Sequence, residues 1–176
     1  FIIHSDDGSR VSYTEDNGIA DILEELAEDY SDVVRNSQDQ VIRMSRNYTG
    51  VTEEVVCQPG GQIQYCAGPF INTEMANTLF ENFENALKDI IEPKGMQILA
   101  MGYGLNEEAM DVELVPYEPY EAMDKYFLTK SGYGMCMMRN MAATQISIDY
   151  SSEEDCIHKL RLASALAPIL SLLADN

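Results

Sequence analysis

Residues 55–66 read "VVCQPGGQIQYC", the outline of a strand, a Pro-Gly-Gly turn and a second strand. Three glutamines, Gln58, Gln62 and Gln64, stand where a water-facing sheet more often carries charge. Working outward, "QVIRMS" and "TEEVVC" precede "GQIQYC", so three strands follow one another with no helix between them. Such a run points to an α+β plan: a mostly antiparallel sheet with helices on one face and the other face free to bind.

The flanking segments supply the helices. "NGIADILEELAEDY" places Ile19, Ile22, Leu23, Leu26 and Tyr30 at helical spacing, and a long helix opened by Asn72 or Thr73 buries Met75, Leu79, Phe83, Leu87 and Ile90. "FIIHS" and "RVSYT" around "DDG" read as a hairpin, "MQILAMGYG" as a strand and "PYEAMDKYFLTK" as a short helix. "AATQISIDY" alternates as a strand, with Gln145, Ser147 and Asp149 on one face. A last helix starts at "SSEED", capped by Ser151 or Ser152, with Pro168 bending it. The expected order is β-β-α-β-β-β-α-β-α-β-α. With no internal repeat or low-complexity linker, residues 1–176 read as one domain, expected to be cut at both ends from something longer.

Composition narrows the function. A net charge of −19 leaves nothing to neutralise a run of phosphates, which excludes nucleic acid as a partner. The longest apolar run, Leu162 to Ala174, is too short to span a bilayer, so no membrane is expected. The four cysteines form no CxxC pair, which disfavours zinc and fits a reducing cytoplasm; Cys57 and Cys66 flank the turn and could meet across the hairpin. Acids cluster over Glu15–Asp32 and Glu107–Asp124, either as solvated faces or as an attraction for cations such as magnesium. GxGxxG and GxxxxGK[ST] are absent; "GYGLNEE" and "GYGMCMM" read as glycine-bearing turns, and His4 and His158 join no nucleophile set. The two polar strand faces could form an oxygen-rich floor for a metal–phosphate site or a simple solvent-facing sheet.

"QPGGQIQYCAGP" resembles the Leu-Glu-Pro-Gly-Gly-Gln-Leu-Glu-Leu-Ser signature of bacterial and plant-type glutamate–cysteine ligases. The segment from "GYGMCMMRNMAATQISIDYSSEED" to Asn176 is similar to that family's Thr-Ala-Thr-x-Gln-Val-Asn-Leu-Asp-Tyr-Ser-Ser-Glu-x-Asp stretch and the helix after it. The resemblance implies a partial glutamine-synthetase-like catalytic domain, ATP and Mg2+ as cofactors, and glutamate and cysteine as small-molecule substrates joined through an acyl phosphate. It places Gln145 and Arg161 in catalysis, Gln62, Asp149 and Lys159 at the nucleotide, and Gln58 and Gln64 at the metal. Gln58 and Gln64 stand where the family carries glutamates, Pro119 replaces an arginine and Met141 a threonine; the family's Glu-x-Glu strand would fall before Phe1. Lys159 and Arg161 fit substrate contacts and an exposed helix surface equally well. The alternatives are a ligase-like domain without turnover and a γ-glutamyl ligase with another amine acceptor. Unpaired sheet edges and an apolar helix face offer a route to a homo-oligomer. The ligase reading requires residues 58, 62, 64 and 145 to converge over one concave sheet surface.

Overall fold

In the computed structural model, which describes residues 1–105, 107–130 and 132–174, the strands on either side of the Pro-Gly-Gly turn belong to an antiparallel sheet of four strands. In order across the sheet these are β2 (Asp32–Arg35), β3 (Val41–Tyr48), β4 (Val51–Cys57) and β5 (Ile63–Gly68). Period-two geometry sorts the side chains. Met44, Val55 and Tyr65 lie side by side on the buried face; Arg43, Val56 and Gln64 form one row of the opposite face, and Ser45, Glu54 and Cys66 the next.

Two helices cover the buried face. Helix α1 (Ile19–Ala27) contributes Ile19, Ile22, Leu23 and Leu26; α2 (Thr73–Ile91) contributes Phe83, Leu87 and Ile91. Phe83 stacks on Tyr65 with ring centroids 4.3 Å apart, tying α2 to β5. Asn72 caps α2 by accepting from Met75 N at 2.8 Å. After a 3-10 turn (Glu92–Lys94) and Gly95 at φ 70°, β6 (Met96–Leu99) pairs antiparallel with β1 (Ile2–Ser5). Phe1 and Ile63 exchange both backbone hydrogen bonds, at 2.7 and 2.9 Å, which links this pair to β5. Two more helices follow, α3 (Glu118–Leu128) and α4 (Gly132–Asn140), around a small core of Ala109, Met135, Met138 and Phe127.

The expected α+β class with an antiparallel sheet is present, and several elements differ from expectation. "RVSYT" makes one bridge, Arg10 to His4, where a hairpin strand was expected, and β1 pairs with β6. The reason is a competition for donors. Glu107 takes Arg10 N, Glu15 takes Ser12 N, and Glu113 takes both Tyr13 N and Thr14 N at 2.9–3.2 Å, so carboxylates replace a ladder. The short edge strand β2 has only four residues and a register shift, too little pattern to read in advance. "GYGMCMM" becomes α4 despite its glycines: a Cβ on Gly134 would lie 2.7 Å from Phe127, so its absence lets α3 and α4 approach. Asn106 of the "GYGLNEE" turn lies outside the described residues, as do Asp175 and Asn176. Helices do not keep strictly to one face: Tyr117 and Tyr120, at the start of α3, lie beside Val34, Ile42 and Val56 at one end of the other face.

Residues Thr144–Asn176 form a second compact unit, distinct from Phe1–Ala143, and each is described by itself. The expected strand at residues 142–150 is not formed. Residues 144–150 pair with no strand among the described residues, and Ile146 and Ile148 are exposed, because alternation alone does not create a ladder without a neighbouring edge. Helix α5 (Glu153–Leu173) is capped by Ser152, accommodates Pro168 and has no buried residue. The helix, 21 residues long with an 18-residue window of mean hydropathy 1.4, does reach the length and composition of a membrane span, unlike the apolar run read on its own. Core helices of soluble proteins meet the same criterion, so this feature assigns no location.

A buried ion pair supplies a pH test of the sheet. Glu53, 4% exposed, accepts from Arg46 Nε and Nη2 at 3.1 and 3.0 Å and from Tyr65 Oη at 2.6 Å. Burial pushes the Glu53 carboxyl up, but these bonds together hold it below its ordinary value. A depressed carboxyl stabilises the fold above its unfolded pKa, and that contribution is lost as pH falls through the folded value. Glu53→Gln should therefore cost about 1–2 kcal/mol at neutral pH, a deficit that shrinks towards about pH 3, in urea unfolding series of both proteins.

Candidate functional site

Residues 59–62 of the turn are buried, which is unusual for a hairpin tip. Gln58 N donates to Gln62 O and Gly61 N to Gln58 O, at 2.8 and 2.9 Å, with Gly61 at φ 78°. What covers the turn is the strap that ends α4. A Cβ on Gly60 would lie 2.1 Å from Arg139 O, so only glycine permits this approach. Gln62 uses both ends of its amide here: Oε1 accepts from Gly60 N at 2.9 Å, and Nε2 donates to Met141 O at 3.0 Å.

Arg10 completes the joint. Its Nη2 donates to Gly60 O at 2.6 Å and Arg139 O at 3.0 Å, and Nη1 to Asn140 Oδ1 at 2.8 Å. The fully buried Asn140 donates in turn to Glu107 O at 3.1 Å. Burial lowers the Arg10 pKa from its usual value while Glu107 opposes that shift. Arg139 anchors the strap from behind through Val112 O and the Asp124 carboxylate. Sequence reasoning missed Arg10 and Asn140. Their only advance signal is that Arg10 is a rare cation, one of 11 basic residues, in an acidic chain.

Beside the turn lies the open sheet face. Gln58 Nε2 donates to Gln64 Oε1 at 2.5 Å, joining the two positions that the signature assigns to glutamates. One row along, Glu54 is paired with Arg43. Both residues also line a cleft of about 330 Å³ with Val34, Ile42, Val56, Tyr117 and Tyr120. Tyr120 Oη donates to Cys57 O at 2.6 Å, and burial pushes its own pKa up to about 12. Cys57 faces the core and Cys66 the open face, so the pairing across the hairpin considered from spacing does not form, and no disulfide joins any of the four cysteines among the described residues. Burial raises the thiols of both Cys57 and Cys66, which keeps them protonated at neutral pH.

Gln62, expected beside Gln64, turns to the strap, while Gln64 meets Gln58. The groups at Gln58 and Gln64 do not fit magnesium: two neutral amides, joined to each other by a hydrogen bond, bring no charge, and the nearby carboxylate is neutralised by Arg43. Among the described residues no group of three or more His, Cys, Asp or Glu could hold a metal ion.

Gln145, Asp149, Lys159 and Arg161 belong to the second unit. Gln145 and Asp149 lie in the exposed extended segment. Lys159 Nζ donates to Asp149 O at 2.7 Å and Asp155 Oδ2 at 2.9 Å, folding that segment onto the start of α5. The bond from Lys159 to Asp155, with those from Ser151, brings the Asp155 carboxyl down to about 2. Arg161 makes no ion pair among the described residues, and its offset of two from Lys159 puts the two cations on different helix faces.

A sequence model of glutamate-cysteine ligase family 2 matches residues 1–176. The chain is 28% identical over 160 residues to a chloroplastic glutamate–cysteine ligase of Medicago truncatula, covering 90% of this chain and 30% of that protein. It is 27% identical over 158 residues to the chloroplastic enzyme of Brassica juncea, covering 90% and 30%, and 28% identical over 160 residues to chloroplastic enzyme A of Oryza sativa subsp. japonica, covering 90% and 31%. The chain thus spans about 30% of the length of the curated relatives it matches.

With Gln62 as the pin between turn and strap, Gln62→Leu leaves the buried Gly60 N without a partner and breaks the bond to Met141 O. The expected loss is about 1–3 kcal/mol in urea unfolding, with faster hydrogen exchange at the Gly60 amide. Unchanged exchange there would show that the amide does not hold the turn.

Proposed function

Because the chain belongs to glutamate-cysteine ligase family 2, we propose that it forms part of the catalytic sheet of an ATP-dependent ligase, with a glutamine-synthetase-like fold. The reaction joins the γ-carboxylate of glutamate to the amine of cysteine. The γ-carboxylate attacks the terminal phosphorus of ATP and ADP leaves; the amine then attacks the resulting acyl phosphate and releases phosphate. The observation that carries this reading is the family match over residues 1–176.

The chain's own residues supply positioning. The pinned Pro-Gly-Gly turn holds the open face beside the strap, and Gln62 and Arg10 set that geometry. In the second unit, Arg161 is an exposed cation available to a phosphate, Lys159 shapes the segment bearing Gln145 and Asp149, and those two present polar groups to substrate. Phosphoryl transfer of this kind uses magnesium to neutralise charge. Here the ion would have to be held by the nucleotide and by groups other than Gln58 and Gln64.

That mismatch favours a second reading, a ligase-like module that binds without turnover. A single assay separates the two. The ligase reading expects ADP release by the whole protein that requires both glutamate and cysteine, measured against a panel of other amines. Release with a different amine would reassign the acceptor, and no release with any amine would favour the binding module.

A further inference from the structure

The side chains of Gln58 and Gln64 meet across the mouth of the β4–β5 hairpin. Gln58 follows the last residue of β4; Gln64, inside β5, sits opposite Val56. Their amides form one direct hydrogen bond, with Gln58 donating at 2.5 Å. Around them the face is electrically closed. The row of Gln64 continues through Val56 to Arg43, and Arg43 is paired with Glu54 of the next row.

A divalent cation placed between the two amides would meet three costs. Gln64 Oε1 already accepts from Gln58, and the group of Gln58 turned towards it is a donor, so an ion between them would have to break that bond and turn the Gln58 amide round. Neither amide brings charge to offset the loss of the ion's hydration shell. Glu54, the carboxylate in the next row of the same face, is held by Arg43 and so is not free to offset the ion's charge. From this we infer that Gln58–Gln64 is a metal-independent clasp. A direct amide–amide bond does the bridging that an ion would do between two carboxylates, and it closes this part of the sheet to divalent cations. The inference rests on the site described above and not on turnover there, so it stands or falls separately from the ligase reaction.

Manganese, whose paramagnetism broadens nearby resonances, is the probe. In the 15N-labelled protein, titration with Mn2+ should leave the side-chain amide signals of Gln58 and Gln64 no more affected than those of other glutamines. Their selective loss at the lowest additions overturns the clasp. The double variant Gln58→Glu, Gln64→Glu should gain one Mn2+ site bound at least about tenfold more tightly than any in the unaltered protein. In EDTA its two facing carboxylates repel, so its unfolding midpoint at neutral pH should drop and recover on acidification or with Mn2+. Equal Mn2+ affinity before and after substitution also overturns the proposal. Should the double variant fail to fold, Gln58→Leu removes the donor without adding charge. The clasp predicts a lower midpoint that EDTA and Mn2+ leave unchanged; a Mn2+-dependent midpoint in the unaltered protein that this variant loses is the contrary result.

Discussion

The first unit depends on a backbone contact that admits no side chain. Gly60 lies so close to Arg139 O that a single methyl would push the hairpin tip and the strap apart. Around that contact Gln62 and Arg10 satisfy three groups of buried residues, Gly60 N, Gly60 O and Arg139 O, and Gln62 also holds Met141 O. Leaving such groups unpaired costs far more than pairing them gains, so the joint is closer to obligatory than to merely favourable. It fixes where residues 139–141 run, and Tyr103 and Gly104 are positioned by pairing with that strap in turn.

The acidic character of the chain takes on a second meaning in this setting. A charge of −19 reads most simply as solvated helix faces, and much of it is that. Yet Glu107, Glu113 and Glu15 serve the backbone of residues 10–14, and Glu53 is a buried member of the Arg46–Tyr65 network. These acids substitute for strand pairing or lock the sheet to its cover. Composition counts them with the rest, because nothing in a list of charges says which carboxylate will find a backbone amide.

What could be read in advance follows physical range. Strands β3, β4 and β5, helices α1 and α2 and the Asn72 cap rest on short-range periodicity, so the pattern of Val51, Val55 and Ile63 or of Phe83 and Leu87 was enough. The strap rests on contacts such as Arg10 with Asn140, 130 residues apart, which leave no local mark. Helix α4 was hidden by its glycines, which here permit close packing against Phe127. At the candidate site the polar character of Gln58, Gln62 and Gln64 was legible, but their partners were not. Period two groups Gln62 with Gln64, whereas the bend of the turn sends the first to the strap and leaves the second to Gln58. For residues 144–150 the alternation was real, and no ladder partner exists for it among the described residues.

That uncovered strip has a bearing on how the protein behaves in bulk. Ile146 and Ile148 sit 80% and 71% exposed on extended backbone, the arrangement from which intermolecular stacking starts. At neutral pH the large negative charge keeps copies apart. Near the isoelectric point of about 4.2 that mutual repulsion vanishes while the strip remains, so mildly acidic buffers are where turbidity and precipitation should set in.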